Sequence, residues 1–165
     1  MRLQLLVLSL ALSTSALADH VPIDQVPMYG GMDRAAVPEL KAADEKLIAD
    51  TMQHYGSRAK ASAAFVDAGM NYYYHDDLAA AMRRFNQAWL LDPDNPEAYW
   101  GFAAVAADRG KNCDSSKWFD KALSFGRYVP GMNPDAARLL VLCARDDKGL
   151  GDDAKAEVYK RGRAL

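Results

Sequence analysis

The sequence predicts an all-α fold: a solenoid of about three helical hairpins, preceded by an extended arm and one extra helix. Three observations carry this prediction. From Pro38 onward, apolar residues recur at helical spacing and nothing alternates as a strand would. Helix starts and stops are written in residue types that cap or break helices. The start signal Asn95-Pro96 returns as Asn133-Pro134, 38 residues later. Helical pairs repeating at a period in the thirties mark a solenoid.

The elements follow in order. Val37-Pro38 opens a helix to about His54, with Leu40, Ala43, Leu47, Ile48 and Met52 on one side. Gly56 ends it and Ser57 caps the next, from about Arg58 to Tyr74. His75-Asp76-Asp77 is a turn whose Asp caps a helix to Leu91, which Asp92-Pro93 ends. Asn95-Pro96 starts a helix closed by Gly110, a capping side chain followed by proline at the first helical position. Asp114 is expected to cap another to about Phe125, and Asn133-Pro134 to begin a further pair, with Gly149-Leu150-Gly151 as its turn. Asp19 to Val37 holds Pro22 and Pro27 and no long apolar stripe, so it reads as an extended arm. Either that arm is a leader without function, or Val21, Ile23, Val26, Met28 and Tyr29 lie along the helices and cover apolar surface.

Residues 62–95 resemble the tetratricopeptide repeat (TPR). Counting from Ser62, the family's aromatic at position four is Phe65, its glycine at eight Gly69, its tyrosine at eleven Tyr72 and its alanine at twenty Ala81. Phe85, Ala88 and Pro93 complete the pattern, and Ala68 departs where leucine is usual. Small residues let two helices cross closely while the aromatics fill the space around the crossing. Residues 96–133 fit less fully, through Tyr99, Phe102, Ala103, Phe119 and Ala122, with Ser115 in place of alanine and a late Pro130. Residues 134–165 form a degenerate third unit, as terminal repeats often do. The resemblance covers roughly residues 58–165 and implies a right-handed α-solenoid of TPR-like hairpins there, within a helical domain of residues 38–165.

Met1 to Ala18 has Arg2, an apolar run from Leu5 to Leu12 and Ala16-Leu17-Ala18 before Asp19, the pattern of a cleaved signal peptide. An uncut anchor would need about 20 apolar residues, and this run is much shorter. Export is therefore expected, to a bacterial periplasm first, since Asn-x-Ser/Thr acceptors are absent from the sequence. In that compartment Cys113 and Cys143 can pair; two separately buried thiols are the alternative. The repeat layout favours the bridge, because it puts both at the same end of neighbouring units.

The 165 residues are half apolar and 25% charged, with net charge −2. That fits one folded domain and excludes the strongly basic footprint of a dedicated nucleic-acid binder. His20, His54 and His75 are too widely spaced to share a helix face as metal ligands. No phosphate-cradling loop or nucleophile elbow occurs in the sequence, Gly30-Gly31 reads as a turn, and Cys143 sits among Val141, Leu142 and Ala144 as a buried residue would. Neither catalysis nor a cofactor or metal is expected.

TPR arrays are generally non-catalytic scaffolds, and the resemblance implies a concave groove lined by the first helix of each pair. Carried over, the groove positions are Val66, Met70, Tyr73 and Tyr74, then Trp100, Ala104 and Asp108, then Arg138, Leu142 and Arg145. Aromatics and a methionine edged by arginines suit a protein or peptide segment. The alternative for Tyr73, Tyr74 and Trp100 is packing against the arm or first helix. The set by which some TPR domains clamp a C-terminal carboxylate is missing, since Val66 and Met70 occupy two of its positions. The other reading of the whole chain is a self-associating envelope module, a homo-oligomer through its last unit or the helix 38–54.

Overall fold

The computed structural model describes residues 21–127, 129–149 and 151–165. The proposed signal segment 1–18 and His20 lie outside them, as do Tyr128 and Leu150. The described residues are all-α, with seven α-helices: α1 (Pro38–Tyr55), α2 (Arg58–Tyr74), α3 (Leu78–Leu91), α4 (Pro96–Asp108), α5 (Asn112–Leu123), α6 (Met132–Asp146) and α7 (Asp152–Ala164). Each of α2, α4 and α6 packs against the helix that follows it, and α3–α4, α2–α4 and α5–α6 contacts join these pairs.

Local chemistry accounts for most boundaries. Gly56 ends α1 at φ 75°, a left-handed conformation that favours glycine. The Ser57 hydroxyl accepts from the Lys60 amide at 3.2 Å, and Asp77 accepts from the Ala80 amide at 2.9 Å. Asn95 accepts from the Glu97 amide at 3.0 Å, with Pro96 in the first turn. Two expected starts move. Helix α5 begins at Asn112, so Asp114 lies inside its first turn and pairs with Lys117 instead of capping. Helix α6 begins at Met132 behind Gly131 at φ 87°, which leaves Asn133 within the helix to donate to the Leu165 carbonyl.

Phe85 is the centre of the packing. Its ring is fully buried, and a Cβ on either Gly69 of α2 or Gly101 of α4 would overlap it. A bulky ring from α3 thus fits only because both neighbouring helices are bare there. Buried serines serve the same close approach without leaving polar atoms unpaired. Ser62 donates to the Ala88 carbonyl at 2.8 Å and accepts from Asn95, while Ser115 donates to the Ala103 carbonyl at 2.8 Å. Arg58 donates to the Leu90 and Leu91 carbonyls, satisfying the exposed end of α3.

Cys113, in the first turn of α5, and Cys143, late in α6, form a disulfide. Helix α7 has no buried residue and is held to α5 by the Arg161–Asp120 pair and by packing on α6.

The arm differs from the extended segment expected. Residues 21–37 form three short 3-10 turns, Ile23–Gln25, Pro27–Gly31 and Arg34–Ala36. Asn86 of α3, fully buried, holds them: its Nδ2 donates to the Asp24 carbonyl at 2.9 Å and the Val26 carbonyl at 2.8 Å, and its Oδ1 accepts from the Tyr29 amide at 3.4 Å. Tyr29 is buried beneath the Arg34 guanidinium, which lies 4.0 Å from its ring centroid and bonds both oxygens of Asp44 in α1. Met28 packs on the core, while Val21 and Ile23 remain exposed.

Candidate functional site

The first helices of the three pairs, α2, α4 and α6, bring together five side chains. Tyr73 lies in the last turn of α2, Trp100 in the second turn and Asp108 at the end of α4, and Asp135 and Arg138 in the first two turns of α6. The Tyr73 hydroxyl faces the Asp108 carboxylate. Burial first, then the neighbouring Asp108 carboxylate and the charge of Asp135, push its pKa up to about 12, with Arg138 opposing. Trp100 Nε1 donates to Asp135 Oδ2 at 3.2 Å, linking α4 to α6. Tyr74, edge-on to Tyr73 with centroids 5.7 Å apart, is 74% exposed and projects beside this cluster.

Of the groove positions read from the sequence, Tyr73, Trp100, Asp108 and Arg138 therefore converge. Val66 does not join them at the surface: it is 4% exposed and belongs to the core. Its place in the first helix faces the helix pair, where only apolar packing is available. Met70 and Leu142 are partly buried against the core. Arg145 lies two turns beyond Arg138, exposed, and pairs with the adjacent Asp146 at 2.8 Å. The arm holds itself to α3 and α4 through Asn86 and Arg109, and not through Tyr73 or Trp100.

Asp135 was absent from the sequence reading. It sits two residues past Asn133, and its role depends on the indole it meets across 35 positions of sequence. Also unforeseen is a cavity of about 660 Å³ on another side of α4, walled by the arm, α3 and α5.

Among the described residues, no group of three or more His, Cys, Asp or Glu could hold a metal ion, and no helix is long and apolar enough to cross a membrane. No family model, curated protein or solved structure matches the sequence significantly.

Proposed function

We propose that the chain is an exported, periplasmic adaptor of the TPR type, non-catalytic, in which a right-handed solenoid of about three hairpins holds a protein or peptide segment against α2, α4 and α6. The observation that carries the reading is the convergence of Tyr73, Trp100, Asp108 and Arg138 from three successive first helices. Aromatic side chains contribute large contact area at low entropic cost, and the flanking carboxylates and guanidinium orient a polar backbone. The hydrogen bond from Trp100 to Asp135 and the partial burial of Tyr73 hold those rings in place before a partner arrives, which lowers the ordering cost of binding. The resemblance of residues 62–95 to the repeat supports the same reading.

The test is capture from a periplasmic extract with the protein and with a Tyr73→Ala/Trp100→Ala variant, alongside circular dichroism. A partner retained by the first and lost by the second, at equal helical content, supports the reading. Undiminished capture by the variant rejects the surface.

A second reading has its own observation. Val141 and Leu165, at the α6–α7 end, are each 39% exposed, and apolar residues at an open end favour self-association. A mass in light scattering that stays monomeric across concentration removes it.

A further inference from the structure

The cavity beneath the arm has no part in the adaptor reading. On α4, Tyr99 and Ala106 are seven residues apart and form one stripe, whereas Asp108, nine residues from Tyr99, points about half a turn away. The cavity and Asp108 thus lie on opposite sides of the helix, with Trp100 about 100° round from Tyr99 between them. Its volume, about 660 Å³, falls in the range of small-molecule sites.

The walls are apolar and the rim is cationic. Val26 and Met28 of the arm, Met82 of α3, Tyr99 and Ala106 of α4 and Trp118 of α5 form the interior. Arg109, Lys111, Lys117 and Lys121 surround it with a single acid, Asp114. That acid is already committed to Lys117, at 3.2 Å. Among the described residues, no carboxylate lies within 4 Å of Arg109, Lys111 or Lys121 in an ion pair. Arg109 spends one donor on the Gln25 carbonyl at 2.7 Å, and Lys121 Nζ rests 4.7 Å from the Phe125 ring centroid. Three cations without acidic partners on a chain of net charge −2 are a local excess of the opposite sign.

We propose that this cavity binds a small amphipathic carboxylate, a fatty-acid-like anion whose apolar tail lies between the arm and Trp118 and whose headgroup meets Lys111 and the free edge of Arg109, with Lys121 about 15 Å away at the other end of the α5 wall adding to the positive field. The apolar walls gain from covering the tail, and the headgroup supplies the charge the rim lacks. A purely apolar ligand would leave the cations unanswered, and a cationic amphiphile would meet like charge. The arm, fixed by Asn86, makes the site a part-covered pocket and not an open patch of the kind a membrane surface would require.

The test is isothermal titration of the purified protein with laurate below its micellar concentration, with dodecyltrimethylammonium as the cationic counterpart of equal tail. Saturable one-to-one binding of laurate, weaker at high salt, is expected. A Lys111→Gln/Lys121→Gln variant, altered only at two exposed side chains, should bind laurate about tenfold more weakly at unchanged helical content. Absence of saturable laurate binding, equal binding of the cationic amphiphile, or full affinity in the variant would each overturn the proposal. Binding to phosphatidylglycerol vesicles without uptake of free laurate would also overturn it, assigning the cations to a membrane surface.

Discussion

On one side of α4, Trp100 is bonded to α6 and Asp108 faces Tyr73 of α2; on the other, Tyr99 and Ala106 front a cavity with three rim cations, Arg109, Lys111 and Lys121, that lack acids. The first side is polar and its indole is already bonded, so the partner proposed for it would add contacts to a surface largely formed. The second is apolar and electrostatically incomplete, so it gains most from a ligand that brings both a tail and a charge. One thirteen-residue helix separates the two. They also depend on different neighbours: the first on α6, tied in by a disulfide, the second on the arm, held by the buried Asn86 with Arg109 and the Arg34–Asp44 pair beside it.

That dependence predicts how the two sides can be broken apart. Reducing Cys113–Cys143 has the largest expected effect, about 3–4 kcal/mol for a loop of 30 residues on the chain-entropy account. Hydrogen exchange should show α6 and α7 losing protection first, and with them the Trp100–Asp135 bond, while α3–α5 and the arm persist. Asn86→Ala does the reverse. It removes three hydrogen bonds to the arm from a fully buried site, with an expected cost of about 2–4 kcal/mol. Limited proteolysis should then cut within residues 21–37 while the Tyr73–Trp100 surface still captures its partner.

Gly101→Ala strikes both sides, because its Cβ would overlap the buried Phe85 ring at the centre of the packing. A loss of about 1–3 kcal/mol is expected in denaturant unfolding, partly recovered when Phe85→Leu is added. The smallest effect is titration. Tyr29 on the arm side and Tyr73 on the partner side each have their pKa raised, mainly by burial, from the ordinary 10 to about 12. The folded state holds these protons more tightly than the unfolded one. The stability they contribute is full below pH 10 and is lost as pH rises through 12. Tyr73→Phe should flatten part of that alkaline decline in a series of unfolding measurements from pH 9 to about 12.

Much of the helical framework was legible from sequence because its determinants are local. Ser57, Asp77 and Asn95 act on amides two or three residues away, and Gly56 needs only its own conformation. The pairing of Cys113 with Cys143 was legible at longer range, through the repeat layout. The starts of α5 and α6 differ from those expected because Asp114 and Asn133 carry side chains suited to capping yet lie inside the helices, Asp114 in a local i,i+3 pair with Lys117 and Asn133 in a tertiary bond to the Leu165 carbonyl. The arm was hidden for a stronger reason. Asn86 reads as an ordinary polar residue on a helix, and only the return of a segment some 60 residues earlier buries it. The cavity inherits that opacity, since the arm supplies one of its walls. Of the surface proposed for a partner, Tyr73, Trp100, Asp108 and Arg138 could be named from repeat positions, whereas Asp135 is identified only by the indole it meets.

The central claim is that α4 separates two independent binding surfaces. It is tested most directly by crossing two variants with two assays: Tyr73→Ala/Trp100→Ala and Lys111→Gln/Lys121→Gln, each measured for capture of a periplasmic partner and for laurate affinity. The account predicts that the first variant loses the partner and keeps laurate, and that the second keeps the partner and weakens laurate about tenfold. Loss of both activities in either variant, with helical content intact, would contradict it.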